Sequence, residues 1–364
     1  MRVTRVEAFP VAARFRQPFT VWRGTVDSLG HVFVLVHTDD GRVGLGEAAP
    51  FLYYAPETPE DVLATIQTYL APMLEGFDPF NLEQLAERFE HELDGHEFSK
   101  CAVEMALWDL VGQKLGVPLY QLLGGRVREA VEIVALLHPA APEETAREAR
   151  ERVAQGFRTL KLKLGFGEEE DVARVIRVRE AVGPDIAIRV DPEESYSLKT
   201  TLRVARALEP CRLELISQPV PRTSWEEMRL LREQLSVPLL ADECIVTPQD
   251  VLRCVRMGAA DAINIKVLKS GGLVQARRMA AIAQAAGLPC LLGSMLELGP
   301  GTAFAAHLAV ASSAIAWPCE LAGPLLFADD GLEAPLRVDQ GRLWPPEEPG
   351  LGVRPALERL GLPG

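Results

Sequence analysis

The chain has 364 residues, of which 48% are hydrophobic and 24% are charged, so it can bury a large core and its composition is not that of a disordered protein. Its formal net charge of −13 excludes a general nucleic-acid or anionic-membrane partner, because such partners require a basic surface. The length exceeds that of a usual single core, which favours one large domain with a smaller one attached.

The cysteines and the first residues both indicate a cytoplasmic protein. The six cysteines show no CxxC spacing and no small secreted framework, so we expect reduced thiols. The N-terminal residues alternate in polarity instead of forming a basic-then-apolar leader, and no apolar run reaches membrane-spanning length. We therefore expect a protein of the cytoplasm without a membrane partner.

Residues 1–125 are predicted to form an α+β domain. Residues 2–13 alternate as a strand does, and residues 32–37 and 43–47 flank an Asp-Gly turn in the manner of a hairpin. Helical periodicity follows in three segments: 59–74, 82–92 and 99–115.

Two segments of this domain are rich in large apolar side chains. They are Phe19-Thr20-Val21-Trp22 and Phe51-Leu52-Tyr53-Tyr54. Such segments suit a domain interface, and they equally suit a lid over a binding site. If a barrel mouth must be covered, the lid is favoured, and Trp22 and Tyr53 become candidate substrate-binding residues.

Residues 126–330 are predicted to form a barrel, because strand and helix patterns alternate from Val131 onward. Eight strand signals separated by seven helices indicate an α/β protein with a TIM-like barrel whose last helix is missing or displaced. Residues 331–364 do not continue this alternation and are expected to return to the first domain. The predicted strands are 131–137, 159–165, 185–191, 212–217, 238–243, 262–267, 289–294 and 314–320.

Charged side chains stand at the ends of several predicted strands. The alternating segment Thr159–Gly165 places Lys161 and Lys163 on one face, and later strands end in Asp191, Asp242 and Lys266. In such barrels the carboxyl ends of the strands carry the active site. The pattern therefore predicts carboxylates between lysines at one rim.

This arrangement suits proton transfer next to a carboxylate. Hard carboxylate oxygens favour Mg²⁺, which can stabilise the enediolate formed when an α-proton leaves. Lys163 is the candidate base, since the ammonium group of Lys161 and a nearby cation should lower its pKa. Lys266, from the opposite side, would supply or remove a proton on the other face or serve as an electrostatic anchor, so Lys161, Lys163 and Lys266 are the candidate catalytic residues.

The chain resembles the muconate lactonizing enzyme subgroup of the enolase superfamily over essentially its whole length. The resemblance implies a modified (β/α)7β barrel, a capping domain that sets specificity, Lys163 and Lys266 as the acid/base pair, and Asp191 and Asp242 as Mg²⁺ ligands. The segments that carry it are Lys161-Leu162-Lys163, Val190-Asp191, Ile216 to Pro219, Ala241-Asp242-Glu243, Asn264-Ile265-Lys266, Gly293 to Glu297, and Cys319-Glu320-Leu321 with Gly323-Pro324.

Two positions depart from the family pattern. The family has Ile-Glu-Gln-Pro at the end of the fourth strand, where this chain has Ser217 in place of the glutamate ligand. After Asp191 the family commonly has Ala-Asn, whereas Glu193 brings a carboxylate here. Our hypothesis is that Glu193 partly restores the missing charge in a rearranged and weaker Mg²⁺ site. The rival explanation is loss of the metal site and of the family reaction.

Other candidates come from the later strands. Glu320 matches a family position near the substrate, and Glu297 lies in a glycine-rich turn where a structural role is equally plausible. The segment Glu320-Leu321-Ala322 resembles cycloisomerases more than the Asp-x-Asp of dipeptide epimerases. Both glutamates are retained as candidate substrate-binding residues.

The leading hypothesis is an isomerase or lyase that acts on a small-molecule carboxylate with Mg²⁺, with a muconate-type cycloisomerase favoured. The alternatives are an amino-acid or dipeptide racemase or epimerase, or an o-succinylbenzoate synthase. A further alternative is a catalytically altered member that binds a small acid. The resemblance also suggests a symmetric homo-oligomer.

Overall fold

An antiparallel sheet of three strands opens the chain in the computed structural model, which describes residues 1–361. Its strands, in sheet order, are β1 (Val3–Val21), β2 (Gly24–Thr38) and β3 (Val43–Ala48). β1 is longer than predicted because it pairs with β2 up to Val21 and Gly24, across an irregularity between Arg14 and Phe19. The first apolar segment thus ends a strand instead of forming a loop.

Five helices follow the sheet: α1 (Pro59–Thr65), α2 (Ala71–Leu74), α3 (Leu82–Glu92), α4 (Glu97–Leu115) and α5 (Leu119–Leu122). A π-helical turn at Ile66–Leu70 joins α1 to α2, where one continuous helix was predicted. This wider turn lies directly before Pro72, which has no N–H and would clash with the carbonyl four residues earlier.

Helix α4 packs tightly on β3. Residues 98–112 of this helix are all buried. A Cβ atom on Gly46 would lie 1.9 Å from the Ala102 carbonyl oxygen, so the glycine permits the helix to approach the strand. This contact fixes the sheet of the first domain against its longest helix.

Parallel strands alternate with helices through the second part of the chain, as predicted. The sheet contains seven strands in sequential order, and the helices between them follow the (β/α) pattern. The strands are β5 (Ala135–Leu137), β6 (Thr159–Lys163), β7 (Ala187–Asp191), β8 (Leu215–Ser217), β9 (Leu239–Ala241), β10 (Ala262–Ile265) and β11 (Cys290–Leu292). The helices are α6 (Pro142–Ala154), α7 (Glu168–Val182), α8 (Leu198–Ala207), α9 (Trp225–Gln234), α10 (Pro248–Met257), α11 (Leu273–Ala285) and α12 (Gly299–Ala311).

The predicted eighth strand, residues 314–320, is reduced to isolated bridges. Ile315 pairs with Cys290 and Cys319 pairs with Ile133, so this segment lies between the last and first strands and closes the barrel. Pro318 lacks the N–H group that a continuous ladder requires at this place. The short helix α13 (Gly323–Leu326) comes next in the chain, where a full barrel helix would otherwise follow.

Apolar side chains fill part of the barrel interior below the rim. Leu215, Leu240, Ala262 and Leu291, one from each of four neighbouring strands, form a buried cluster against Trp317. Such a layer is a packed core and not a pore. It provides a rigid floor beneath the charged rim.

The C-terminal residues contact both parts of the molecule. β12 (Val338–Asp339) and β13 (Arg342–Leu343) form a small sheet with β4 (Val131–Glu132). Farther on, Leu351 donates its N–H to Asp109 on α4, and its carbonyl lies 3.1 Å from Nε2 of His307 on α12.

All six cysteines are free and buried. Burial raises the pKa of every one of these thiols. Within residues 1–361, no helix is both long and apolar enough to cross a bilayer.

Candidate active site

Two lysines at the end of β6 project into the barrel. Lys161 and Lys163 lie on one face because side chains alternate along a strand, and both are buried from solvent apart from a small fraction. Their Nζ atoms lie 2.8 Å and 2.9 Å from the same oxygen, Oδ2 of Asp191 at the end of β7. The predicted proximity of the two strand ends is thus observed.

A second charged group lies on the opposite wall. Lys266, directly after β10, places Nζ 2.8 Å from Oδ1 of Asp242. Asn264 donates to the other carboxylate oxygen of Asp242 at 2.8 Å, and Lys269 donates to its main-chain carbonyl at 2.8 Å. Every polar atom of the Asp242 carboxylate therefore has a partner.

Glu320 joins the two groups. Its Oε2 accepts from Lys161 at 2.6 Å and from Asn264 at 3.3 Å. A continuous path of hydrogen bonds and ion pairs therefore runs from Lys163 through Asp191, Lys161, Glu320, Asn264 and Asp242 to Lys266. The two predicted acid/base lysines thus belong to one network of charged and polar side chains.

The lysine pKa values differ from the sequence-based expectation. Burial lowers the pKa of Lys163, but the carboxylates of Asp191 and Glu193 outweigh it and hold the pKa well above its ordinary value. For Lys266 the same balance of burial against Asp242 raises the pKa. The lowering of the Lys163 pKa expected from Lys161 is therefore wrong, since Lys161 contributes less than the contacting carboxylates, whereas the lowering expected from a nearby cation stays a prediction.

The carboxylates are affected in opposite directions. Burial raises the pKa of Asp191, but Lys161 and Lys163 outweigh it and hold the pKa below its ordinary value. Glu243 lies next to Asp242 but contacts no cation closely, and burial together with the Asp242 charge raises its pKa to about 8. Burial also raises the pKa of Glu193, so the rim combines ionised carboxylates with two that are more readily protonated.

The turn after β7 carries two glutamates. Oε1 of Glu193 contacts the Lys163 ammonium group, whereas the largely buried Glu194 accepts hydrogen bonds from Arg222 and Arg23. Tyr54, from the first domain, lies beside Glu193. Burial, followed by the negative charge of Glu193, raises the Tyr54 pKa. Glu193 is therefore an inward-facing member of the charged group.

Ser217 lies at the end of β8, beside Asp191, and is fully buried. Its hydroxyl oxygen has no hydrogen-bond partner among the described residues, and the same holds for Oε2 of Glu193 and Oε2 of Glu243. The next residue, Gln218, accepts at 3.0 Å from the main-chain N–H of Asp242. Within residues 1–361, Asn264 Oδ1, Glu320 Oε1 and the Tyr54 hydroxyl are also without a hydrogen-bond partner, so the buried rim holds several oxygens that call for an explanation.

The donor set fits a hard cation. Carboxylate and hydroxyl oxygens are the ligands that Mg²⁺ prefers, and the partnerless oxygens lie on residues of this rim. In the lysine-paired arrangement, however, no three Asp, Glu, His or Cys side chains within the described part of the chain converge as metal ligands. Binding of Mg²⁺ would therefore compete with lysine for the same carboxylates.

The first domain covers this rim. Trp22, in the turn between β1 and β2, donates from Nε1 to the Glu193 carbonyl at 2.8 Å. Arg23 stacks between the rings of Trp22 and Tyr54, at 4.8 and 5.4 Å from their centres. A cleft of about 470 Å³ adjoins these residues, and it is lined in part by Tyr53, Tyr54, Arg23, Arg222, Glu194 and Lys269.

Glu297 occupies a different position from the other predicted residues. Its Oε1 accepts from the Met295 N–H at 2.9 Å, and its Oε2 accepts from the Ser294 hydroxyl. Both oxygens are thus used inside the glycine-rich turn. Its contacts support the structural role, and the structure does not bring it among the lysines.

Sequence reasoning missed two cations of the site. Arg189 is fully buried inside the barrel, where it contacts Glu214, the Pro318 carbonyl and Oε1 of Glu320. Its signal was its place two residues before Asp191, which puts both on the same strand face. Lys269 lies three residues after Lys266 and reaches the same aspartate.

Comparison with known proteins identifies the family. Residues 3–124 match the N-terminal domain of the mandelate racemase / muconate lactonizing enzyme family, and residues 144–359 match the enolase C-terminal domain-like family. The chain belongs to this family. It is an enzyme of the enolase superfamily, in the muconate lactonizing enzyme subgroup of isomerases.

Relatives of several activities are similar to the chain. The N-succinyl-L-Arg/Lys racemase of Bacillus cereus is 33% identical over 97% of this chain and 95% of that protein. Muconate cycloisomerase 1 of Acinetobacter baylyi is 33% identical over 90% of each. The crystal structure of the dipeptide epimerase from Enterococcus faecalis, complexed with Mg and L-Leu-L-Tyr, has a TM-score of 0.93 at 34% identity, covering 97% of this chain and 99% of that one.

Proposed function

We propose that this enzyme transfers a proton at the carbon next to the carboxylate of a small molecule, with Lys163 and Lys266 as the acid/base pair. One observation carries the proposal. Counted from β5, the strands that end in these lysines hold the second and sixth of eight positions around the barrel, so the ammonium groups come from opposite walls. A planar carbanion between them could be protonated on either face.

Asp191 and Asp242 are the proposed holders of Mg²⁺, and a similar solved structure is complexed with Mg. The ion would supply a positive charge that stabilises the substrate carboxylate as negative charge develops on it. Lys161, fixed by Glu320 and Asp191, would add a second positive charge beside that carboxylate. The lid residues Trp22 and Tyr54 would exclude water from the space between the lysines.

Racemisation of an N-acylated amino acid is the reaction that this geometry supports best. Two opposed lysines suit transfer of a proton from one face to the other. Glu320 is already bound by Lys161 and Asn264, and residue 322 is alanine, so the last strand offers no free carboxylate to a substrate ammonium group. An amide-blocked amino group suits this environment better, and the N-succinyl amino-acid racemase supports the same class.

A muconate-type cycloisomerisation is the second candidate. The segment Glu320-Leu321-Ala322-Gly323-Pro324 resembles the cycloisomerase version of the last strand, and cycloisomerases are as similar to the chain as the racemases. This reaction would need only one of the two lysines. Its assay is the loss of ultraviolet absorbance from the muconate diene.

Deuterium exchange at the α-carbon tests the proposal. In D₂O with Mg²⁺, we expect exchange in both enantiomers of an N-succinyl or N-acetyl amino acid, followed by NMR. Lys163→Ala and Lys266→Ala should each slow exchange of one enantiomer by about 10²- to 10⁴-fold while sparing the other. Lys199→Ala, an exposed residue on α8, is the control.

Exchange in none of the N-acyl amino acids, dipeptides or muconates, even at high Mg²⁺, would contradict the proposal and favour a catalytically altered member. If each lysine variant lost deuterium exchange in both enantiomers, that result would instead contradict the separate roles of the two lysines.

A further inference from the structure

We propose that Glu193 supplies the third carboxylate of the metal site, at the place where Ser217 leaves the rim without charge. The ligand is a divalent cation of the Mg²⁺ type. The inference rests on the proposed function for its cation, and it concerns two residues that depart from the pattern expected from the family resemblance. It is argued from their positions, their burial and their missing partners.

The turn that carries Glu193 is hydrogen-bonded to the residues that directly follow Ser217. Glu194 donates its N–H to the Gln218 carbonyl at 2.9 Å, and Tyr196 donates to the Pro219 carbonyl at 3.0 Å. Since Val190 pairs with Ile216, Asp191 and Ser217 are neighbours at the two strand ends. The Glu193 backbone therefore lies beside the position that Ser217 occupies.

The backbone of this turn is held in an uncommon conformation. Glu193 and Glu194 have φ values of 49° and 67°, in the left-handed region that disfavours residues with side chains. Three hydrogen bonds maintain this conformation. The Glu193 N–H donates to Asp191 Oδ1 at 3.1 Å, and Trp22 donates to the Glu193 carbonyl. Arg222 donates to the Glu194 carboxylate. The result is an inward-facing Glu193 side chain that is only 3% exposed.

The Glu193 carboxylate is only half satisfied. Oε1 contacts Lys163, but Oε2 has no partner, and the Ser217 hydroxyl also has none. A buried carboxylate oxygen without a partner is costly, and the Tyr54 hydroxyl beside Glu193 has no other partner among the residues described either, so this carboxylate can be completed by that donor or by a cation. The carboxylates of Glu193 and Asp191 both contact the ammonium group of Lys163. The two carboxylates are therefore close enough together to bind one divalent cation.

Glu243 is the rival ligand, because its Oε2 is buried and also has no partner. It shares no close cation with an aspartate: its oxygen lies 4.0 Å from Lys266. Glu193, by contrast, contacts the same ammonium group as Asp191. The geometry thus favours Glu193, and the experiment includes both residues.

Metal binding to the full chain without substrate tests the inference. We expect calorimetry with Mg²⁺, or Mn²⁺ titration followed by EPR, to show that Glu193→Gln weakens binding by about tenfold or more, since even outer partners of a ligand contribute 10- to 100-fold. The double change Ser217→Glu with Glu193→Gln should recover most of that loss. Glu180→Gln, an exposed carboxylate near the C-terminal end of α7, is the control and should stay within about threefold of the unchanged chain.

Three outcomes would overturn the inference: unchanged binding in Glu193→Gln, weakening in Glu243→Gln in its place, or no binding of either ion by the unchanged chain. Circular dichroism establishes that each variant is folded. The exchange assay keeps the two proposals apart, because a chain that exchanges α-protons while Glu193→Gln binds Mg²⁺ normally would refute only the inference about Glu193.

Discussion

Arg189 shows how a single buried side chain supports the site. Its guanidinium lies inside the barrel beneath the rim, close to Trp317, and it contacts both Glu214 and Glu320. Glu320 in turn holds Lys161. An arginine suits this place because its planar donors can serve several acceptors at once. The position of Lys161 therefore depends on a residue that lies farther down in the barrel.

Replacing Arg189 by methionine should destabilise the fold by about 3 kcal/mol, because it leaves buried Glu320 with one cation fewer. Urea unfolding measures the change. Arg203→Met, which removes an exposed ion pair with Glu168, is the matched control and should have little effect. If Arg189→Met and the unchanged chain had equal free energies of unfolding, Lys161 alone would be sufficient to compensate the buried negative charge of Glu320.

At the level of structural elements, the turn between β1 and β2 is the main link from the first domain to the rim. Trp22 bonds the turn after β7, and Arg23 contacts Glu194 in the same turn at 3.3 Å. Gly165, after β6, permits this approach, since a Cβ there would lie 3.0 Å from the Trp22 Cβ. The lid thus contacts the very segment that carries Glu193.

Trp22→Phe should raise KM by about 2- to 10-fold with little change in kcat, because it removes one hydrogen bond worth about 0.5–1.5 kcal/mol from the closed lid. Steady-state kinetics with the substrate found by the exchange assay measures both constants. Trp344→Phe, in the C-terminal segment, serves as the control. A fall in kcat at constant KM would instead place Trp22 in the chemical step.

Across the whole molecule, a buried carboxyl joins the two domains. Glu104 on α4 accepts from Trp108 at 3.0 Å and from the Val274 N–H at the start of α11, also at 3.0 Å. Burial raises the pKa of Glu104 to about 7, although these donors oppose the shift. The contact between α4 of the first domain and α11 of the barrel therefore includes a carboxyl group, that of Glu104, whose pKa lies near neutral pH.

Glu104 should make stability depend on pH. Since the pKa is higher in the folded chain, the unfolded chain releases this proton first as pH rises, and stability falls between about pH 4.5 and pH 7. Relative to Glu104→Gln, the unchanged chain should lose up to about 3 kcal/mol across that range. Urea unfolding of both proteins at several pH values measures the difference, and parallel profiles would contradict the assignment.

Sequence reasoning succeeded where the cause was local. The alternation in Thr159–Gly165 placed Lys161 and Lys163 on one face, and apolar runs ending in Asp191 and Asp242 marked the rim. It failed where distant residues decide. The raised pKa of Lys163 depends on Glu193 as well as Asp191, and Arg189 is stabilised by residues 25 to 131 positions away. The eighth strand was shortened by a proline whose effect depends on its neighbours.

The six interior thiols have a practical consequence. Because each is hidden and resists deprotonation, a thiol-modifying reagent can react only when the barrel or its cap comes apart. The rate of thiol labelling therefore measures the rate at which the native fold opens. It can be recorded by mass spectrometry without introducing a further labelling site.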